Sequence, residues 1–153
     1  MKNTVYVVIV SSDIHAPIYK AYKSRYDAVD ITATSIFDSR SEARDNLKKY
    51  GYHYNGRSTA AEIATLEYDG GNGKSVHLIA TLNGNGTEYK AFASRQEAYD
   101  FVFKTMAEIK GGNELGKYKD IAAKRLDEGK EVEYGYAEGD VNSFTYVKVE
   151  ITR

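Results

Sequence analysis

One short signal constrains this chain more than any other, because it occurs twice. Phe37-Asp38-Ser39-Arg40-Ser41-Glu42-Ala43-Arg44-Asp45 and Phe92-Ala93-Ser94-Arg95-Gln96-Glu97-Ala98-Tyr99-Asp100 agree at six of nine positions, at a constant offset of 55 residues (92 − 37). Each copy reads as a strand ending and a helix beginning. Ser39 and Ser94 stand where an N-cap belongs. Glu42 and Glu97, three residues on, can reach back toward the cap, the reciprocal arrangement of a capping box.

The rest of the chain is ordered around these two points. Val5–Val10 is a continuous apolar run suited to a strand covered on both faces, and Pro17 follows the break after it. Residues 18–30 fit a helix, a strand or a tyrosine-rich loop. Ile31–Phe37 alternates and predicts a strand. The first capped helix is expected from Ser39 to Tyr50, with Ala43, Leu47 and Tyr50 inward and Gly51 as terminator. A polar aromatic loop, Tyr52–Arg57, and a strand over Ala61–Tyr68 complete the first half.

Asp69-Gly70-Gly71-Asn72-Gly73 predicts a turn, and Lys74–Leu82 a strand. Asn83-Gly84-Asn85-Gly86 supplies residues that accept positive φ, so a hairpin into Thr87–Phe92 is expected. The second capped helix spans Ser94 to about Lys110, with Ala98, Phe101, Val102, Thr105, Met106 and Ile109 on one face and Gly111-Gly112 as its stop. A further helix is predicted over Glu114–Glu128, with Leu115, Tyr118, Ile121, Ala122 and Leu126 inward. Strands over Lys130–Tyr136 and Phe144–Thr152, joined by a turn at Ala137-Glu138-Gly139-Asp140, close the chain.

The expected fold is therefore α+β. It comprises two diverged copies of a ββαβ-type unit, an antiparallel sheet with helices packed on it, and an extra helix in the second copy. A length of 153 residues suits a single compact domain with internal pseudo-duplication, about 1–69 and 74–153.

A formal charge of −1 provides no global field to draw the chain to nucleic acid or an anionic membrane. The absence of cysteine removes disulfides, thiolate metal sites and cysteine nucleophiles together. The apolar run at Val5–Val10 is too short for a signal peptide or a membrane span, so a cytoplasmic protein is expected. Fourteen tyrosines stand against five phenylalanines and no tryptophan. Half-buried positions on a sheet account for many of them; a subset can form a recognition surface.

Asp13-Ile14-His15, after a hydrophobic strand, resembles the Asp-x-His-Gly motif of metal-dependent phosphoesterases. That resemblance implies Asp13 and His15 as metal ligands and is the least favoured functional reading: Ala16 replaces the glycine and no second metal motif follows. The plainer account is a loop in which Asp13 makes a local turn bond and His15 is solvated. Gly70-Gly71-Asn72-Gly73-Lys74-Ser75 lacks phosphate-loop spacing and precedes a strand, so it reads as a turn. His77 on its strand reads as a satisfied residue. Glu131, Glu133, Glu138 and Asp140 read as a solvated face and turn. No catalytic constellation, metal or cofactor is implied.

Basic and aromatic residues interleave in two stretches, 19–26 and 48–57. They nominate Tyr19, Tyr22, Arg25, Tyr26, Lys48, Lys49, Tyr52, His53, Tyr54 and Arg57 as partner-binding residues. Such mixtures serve protein interfaces, where Tyr and Arg dominate, or single-stranded nucleic acid, where rings stack on bases and cations meet phosphates.

The residues Phe37, Ser39, Glu42, Ala43 and Phe92, Ser94, Glu97, Ala98 carry a module that resembles one found in small bacteriophage proteins. More distantly, it is similar to the N-terminal hybrid-binding domain of ribonucleases H. Small size, duplicated architecture, abundant tyrosine and the absence of a complete catalytic set point to a non-enzymatic interaction protein that binds and modulates or inhibits a host macromolecular complex (a host or self protein complex) in a counter-defence role, and the first resemblance implies a phage or mobile-element origin. The second implies the alternative, a nucleic-acid-binding module.

Overall fold

The computed structural model describes residues 2–14, 16–84, 86–109, 117–135 and 141–152, with backbone only at 109, 117, 134–135 and 141–142. His15, Asn85, Gly111-Gly112, Leu115 and the 137–140 turn, with Glu138 and Asp140, lie outside the described residues. The chain is α+β. It divides into two compact units, one formed by Met1–Tyr68 with Val149–Arg153 and the other by Asp69–Lys148.

The first unit runs β1 (Lys2–Ser12), β2 (Ile18–Tyr22), α1 (Arg25–Ile36), α2 (Arg40–Tyr50), β3 (Tyr52–Tyr54) and β4 (Thr59–Asp69). Its strands lie in the order β3-β4-β1-β2. β1 pairs antiparallel with β2, Val8 opposite Lys20, and β3 antiparallel with β4, His53 opposite Ala61. Val8, Val10, Tyr22 and Ala61 from the strands meet Ala28, Val29, Ala33, Phe37, Ala43 and Leu47 from the helical layer in one buried cluster.

The second unit runs β5 (Ser75–Asn83), β6 (Gly86–Phe92), α3 (Arg95–Ile109), α4 (Lys117–Asp127), β7 (Val132–Gly135) and β8 (Val141–Thr152). Here the order is β7-β8-β5-β6. β5 and β6 form the expected hairpin, Asn83 opposite Gly86, and Val132 of β7 lies opposite Phe144 of β8. Ile79 and Phe144 pack with Ala98, Val102, Met106, Ala122 and Leu126. The end of β8 belongs to the first unit, where Ile151 and Thr152 pair with Ala21 and Tyr22 in parallel. That pairing departs from the purely antiparallel expectation.

The main correction falls on residues 25–36. Ile31–Phe37 is not a strand: Ile31–Ile36 closes helix α1, and Phe37 is its C-cap. Within α1, Thr34 Oγ1 donates to the Asp30 carbonyl at 2.9 Å and Ser35 Oγ to that of Ile31, which gives the hydroxyls partners without itself favouring the helix; tertiary packing of the apolar face does that. Its buried residues, Ala28, Val29, Thr32 and Ala33, follow helical spacing. Ser24 caps it, accepting from the Asp27 N–H at 3.2 Å. Among the described residues two helices therefore stand in each unit, and the second helix is not an addition to one half. Tyr50 and Ile121, expected inward, are exposed. Gly51 does end α2, at φ +69°, with its N–H donating to the Leu47 carbonyl at 2.9 Å.

Candidate functional site

Between residues 36–42, which open α2, and residues 53–57, which include the end of β3 and its loop, the first unit carries a cleft of about 310 Å³. One wall holds Phe37, Asp38, Ser39 and Glu42; the other holds His53, Tyr54, Asn55 and Arg57. Both walls are built by local chemistry. The left-handed turn at Gly51 sends the chain straight into β3, and the Ile63 N–H fastens it by donating to the Gly51 carbonyl at 2.7 Å. His53 thereby comes back under α2, 4% exposed, its ring edge-on to Phe37 at 4.5 Å. Asn46 of α2 donates its amide to His53 Nδ1 at 2.9 Å, which leaves the proton on Nε2.

The loop that carries Arg57 is clamped by one side chain. Asn55 Oδ1 accepts from the backbone N–H groups of Arg57, Ser58 and Thr59 at 2.8, 3.0 and 3.2 Å. Tyr54 adds a bond from its hydroxyl to the Arg57 carbonyl at 3.2 Å. The guanidinium is left outside this clamp, with no ion pair among the described residues.

The opposite wall is the first copy of the repeated signal, and it behaves unlike the second. Ser39 is the N-cap of α2 but makes no side-chain capping bond. Glu42 makes no hydrogen bond or ion pair among the described residues. In the second copy Ser94 Oγ accepts from the Glu97 N–H at 3.2 Å, and Glu97 Oε2 accepts from the Ala93 N–H at 3.2 Å. The start of α3 is closed on itself, while that of α2 is open toward the cleft.

The ten nominated residues divide accordingly. His53, Tyr54 and Arg57 line the cleft. Tyr52 and Tyr54, each 50% exposed, stand on the edge strand β3 and line a second, shallower hollow of about 210 Å³ with Ser11, Asp13 and Ala60. Lys48 and Lys49 lie exposed in the last turn of α2, at most about 15 Å along the helix from its open end at 1.5 Å per residue. Tyr26 is exposed on α1. Tyr22, 3% exposed, belongs to the core, and His53 is 4% exposed. Arg25 is engaged within the unit, donating to the Leu47 carbonyl at 3.1 Å near the end of α2. Tyr19 is half-buried, and burial followed by the nearby Glu62 carboxylate raises its phenol pKa.

Three further expectations are settled by geometry. The turn after β1 is closed by Ser12 Oγ, which accepts from the Ile14 N–H at 3.2 Å, a role expected of Asp13. Residues 70–74 form a turn with Gly70, Gly71 and Gly73 at positive φ, and β5 follows. His77 is satisfied, its Nδ1 2.6 Å from the Tyr146 hydroxyl.

Asp38, Ser39 and Glu42 were legible only as helix-start signals. Their second role depends on the return of β3 across α2, which leaves no local mark. The cleft can hold a ligand by charge and hydrogen bonds. No hydrogen bond joins the Ser39 hydroxyl to His53. Among the described residues no three His, Asp or Glu side chains converge as metal ligands. No helix among them is long and apolar enough to cross a membrane. Comparison with protein-family models, curated proteins and solved structures finds no match to this chain.

Proposed function

We propose that this is a non-enzymatic interaction protein that engages a protein partner through the β3 edge of its first unit. The observation that carries the reading is the pair Tyr52 and Tyr54, half-exposed on a strand that ends its sheet, with Arg57 held beside them. Rigid tyrosines and arginine concentrate binding energy at low entropic cost. The pair stands beside two hollows that can seat side chains of a partner. The phage-type role, in which the partner is a host complex whose activity is modulated or blocked, rests on the resemblance of the strand–Phe-x-Ser–helix module.

The reading of the chain as two diverged copies draws support from the element order, strand-strand-helix-helix-strand-strand in each unit. The sequence correspondence that goes with this order has an offset of 70, not 55. Tyr19-Lys20-Ala21-Tyr22-Lys23-Ser24-Arg25-Tyr26-Asp27-Ala28 matches Tyr89-Lys90-Ala91-Phe92-Ala93-Ser94-Arg95-Gln96-Glu97-Ala98. It equates the caps Ser24 and Ser94.

The test is affinity capture from a bacterial lysate with the wild type and a Tyr52→Ser/Tyr54→Ser variant. A saturable protein partner held by the wild type and lost by the variant is the expected result. Capture of the same protein by both, or of none, would overturn the proposal. Capture of nucleic acid that weakens steeply with salt would favour the alternative instead.

A further inference from the structure

We propose that the 310 Å³ cleft of the first unit binds a small zwitterion of the α-amino-acid class. Its carboxylate is held by Arg57 and the Nε2 edge of His53, and its ammonium by Asp38 and Glu42. The proposal goes beyond the protein-partner reading and does not depend on it.

Size is the first constraint. Ligand pockets start at roughly 300 Å³, so this cleft suits a compact ligand of few heavy atoms. The second constraint is His53. A histidine so deeply buried has an unfavourable position unless both ring nitrogens are served. Nδ1 is served by Asn46. No fully buried side-chain nitrogen or oxygen among the described residues lacks a partner. Nε2, which has no bond among the described residues, is therefore not fully enclosed, and His53 lines the cleft. That nitrogen offers one N–H donor.

Charge supplies the third constraint. Arg57 lies on one wall and Asp38 and Glu42 on the other, yet no ion pair within 4.0 Å joins them. Exposed opposite charges on neighbouring segments commonly pair, as Arg44 and Asp30 do at 2.8 Å between α2 and α1. Here Arg57, Asp38 and Glu42 are all exposed, line the same cleft, and make no ion pair among the described residues. A simple anion meets Arg57 and His53 but is repelled by two carboxylates. A simple cation finds the carboxylates but is opposed by the guanidinium. A molecule with both signs a few bonds apart satisfies both walls, and the free Ser39 hydroxyl and the open first turn of α2 add hydrogen-bonding capacity between them. Phe37 and the Tyr54 ring give a side chain an apolar surface to lie against.

The experiment uses the full chain and the twenty α-amino acids, each at millimolar concentration, read by thermal shift and then by calorimetry. At least one amino acid is expected to raise the melting temperature through linkage. Its desamino acid and its decarboxylated amine should each bind at least about tenfold more weakly, as loss of a charge-assisted contact implies. Arg57→Ala and Glu42→Gln, both at exposed positions that leave the core intact, should reproduce that loss for the amino acid. No shift with any of the twenty would overturn the proposal. Equal binding of the desamino acid or the amine would show a site for a single charge, and also overturn it. Binding unaffected by both substitutions would place the ligand elsewhere, with the same consequence.

Discussion

The first turns of α2 and α3 carry nearly the same letters and do different things. At α3, Phe92 is the last residue of a strand, and Ser94 and Glu97 each satisfy a backbone N–H. At α2, Phe37 follows a helix, and two residues later Ser39 sits at φ −84°, ψ 74°. An N-cap that bonds usually has an extended backbone, as Ser24 does at φ −120°, ψ 133°. The approach from α1 leaves Ser39 outside that range and its hydroxyl unbonded. The lesson is that a capping sequence becomes a cap only if the preceding element delivers it at the right angle; otherwise the same polar atoms are free for another use.

The comparison is broken most forcefully in the core beneath these helices. Leu47 of α2 and Leu126 of α4 each lie four residues after a buried alanine, Ala43 and Ala122, and each precedes a glycine in the left-handed region, Gly51 and Gly129. Leu47→Ala and Leu126→Ala should each cost about 2–5 kcal/mol by denaturant unfolding. Values that differ by more than the spread of such measurements would mean that the second helices of the two units are not equivalent.

Much of this architecture was legible in the residues themselves. The hairpin at 75–92, the long helix after Ser94 and the stop at Gly51 follow from turn chemistry, capping and glycine, all local in origin. Ile31–Ile36 was misread because alternation of β-branched residues outweighs the helix signal in one dimension. The deciding facts are the Ser24 cap upstream and the burial of Ala28, Val29, Thr32 and Ala33 at helical spacing. The repeated signal pairs α2 with α3, whereas the element order pairs α1 with α3. Of the cleft, Tyr54, Arg57 and His53 were found from composition, whereas the acidic wall became visible only when β3 folded back across α2.

A finer test separates the three serines. Ser24→Ala and Ser94→Ala each remove a hydroxyl that accepts a first-turn N–H at 3.2 Å, and should cost about 1 kcal/mol. Ser39→Ala removes no such bond and should stay within about 0.5 kcal/mol of the wild type. Equal losses at Ser39 and Ser94 in chemical denaturation would show that α2 is capped after all, and the openness of the cleft wall would fall with that result.

The smallest effect concerns the tyrosines that the two units bury. Tyr99, at the start of α3, donates its hydroxyl to Asp127 Oδ1 at 2.5 Å, while Arg95 pairs with the same oxygen at 2.8 Å and lies over the ring at 4.9 Å. Burial first, and the Asp127 hydrogen bond and charge next, push the Tyr99 phenol well above its ordinary value, with Arg95 opposing them. The folded chain thus keeps a proton that the unfolded chain releases near pH ~10. The sign follows from linkage: the contribution is intact below that pH and is lost as pH rises toward the folded value. At pH 10, where half of the unfolded phenols are ionised, the loss is at most RT ln 2, about 0.4 kcal/mol. In unit 1 Tyr22 has no comparable hydroxyl partner among the described residues; burial raises its pKa, with the Asp27 charge adding to the shift. Stability measured from pH 8 to 10.5 should therefore decline less in Tyr99→Phe than in the wild type, and Tyr22→Phe should flatten the curve less than Tyr99→Phe does. Identical curves for all three proteins would mean that the Tyr99–Asp127–Arg95 arrangement does not distinguish the second unit from the first.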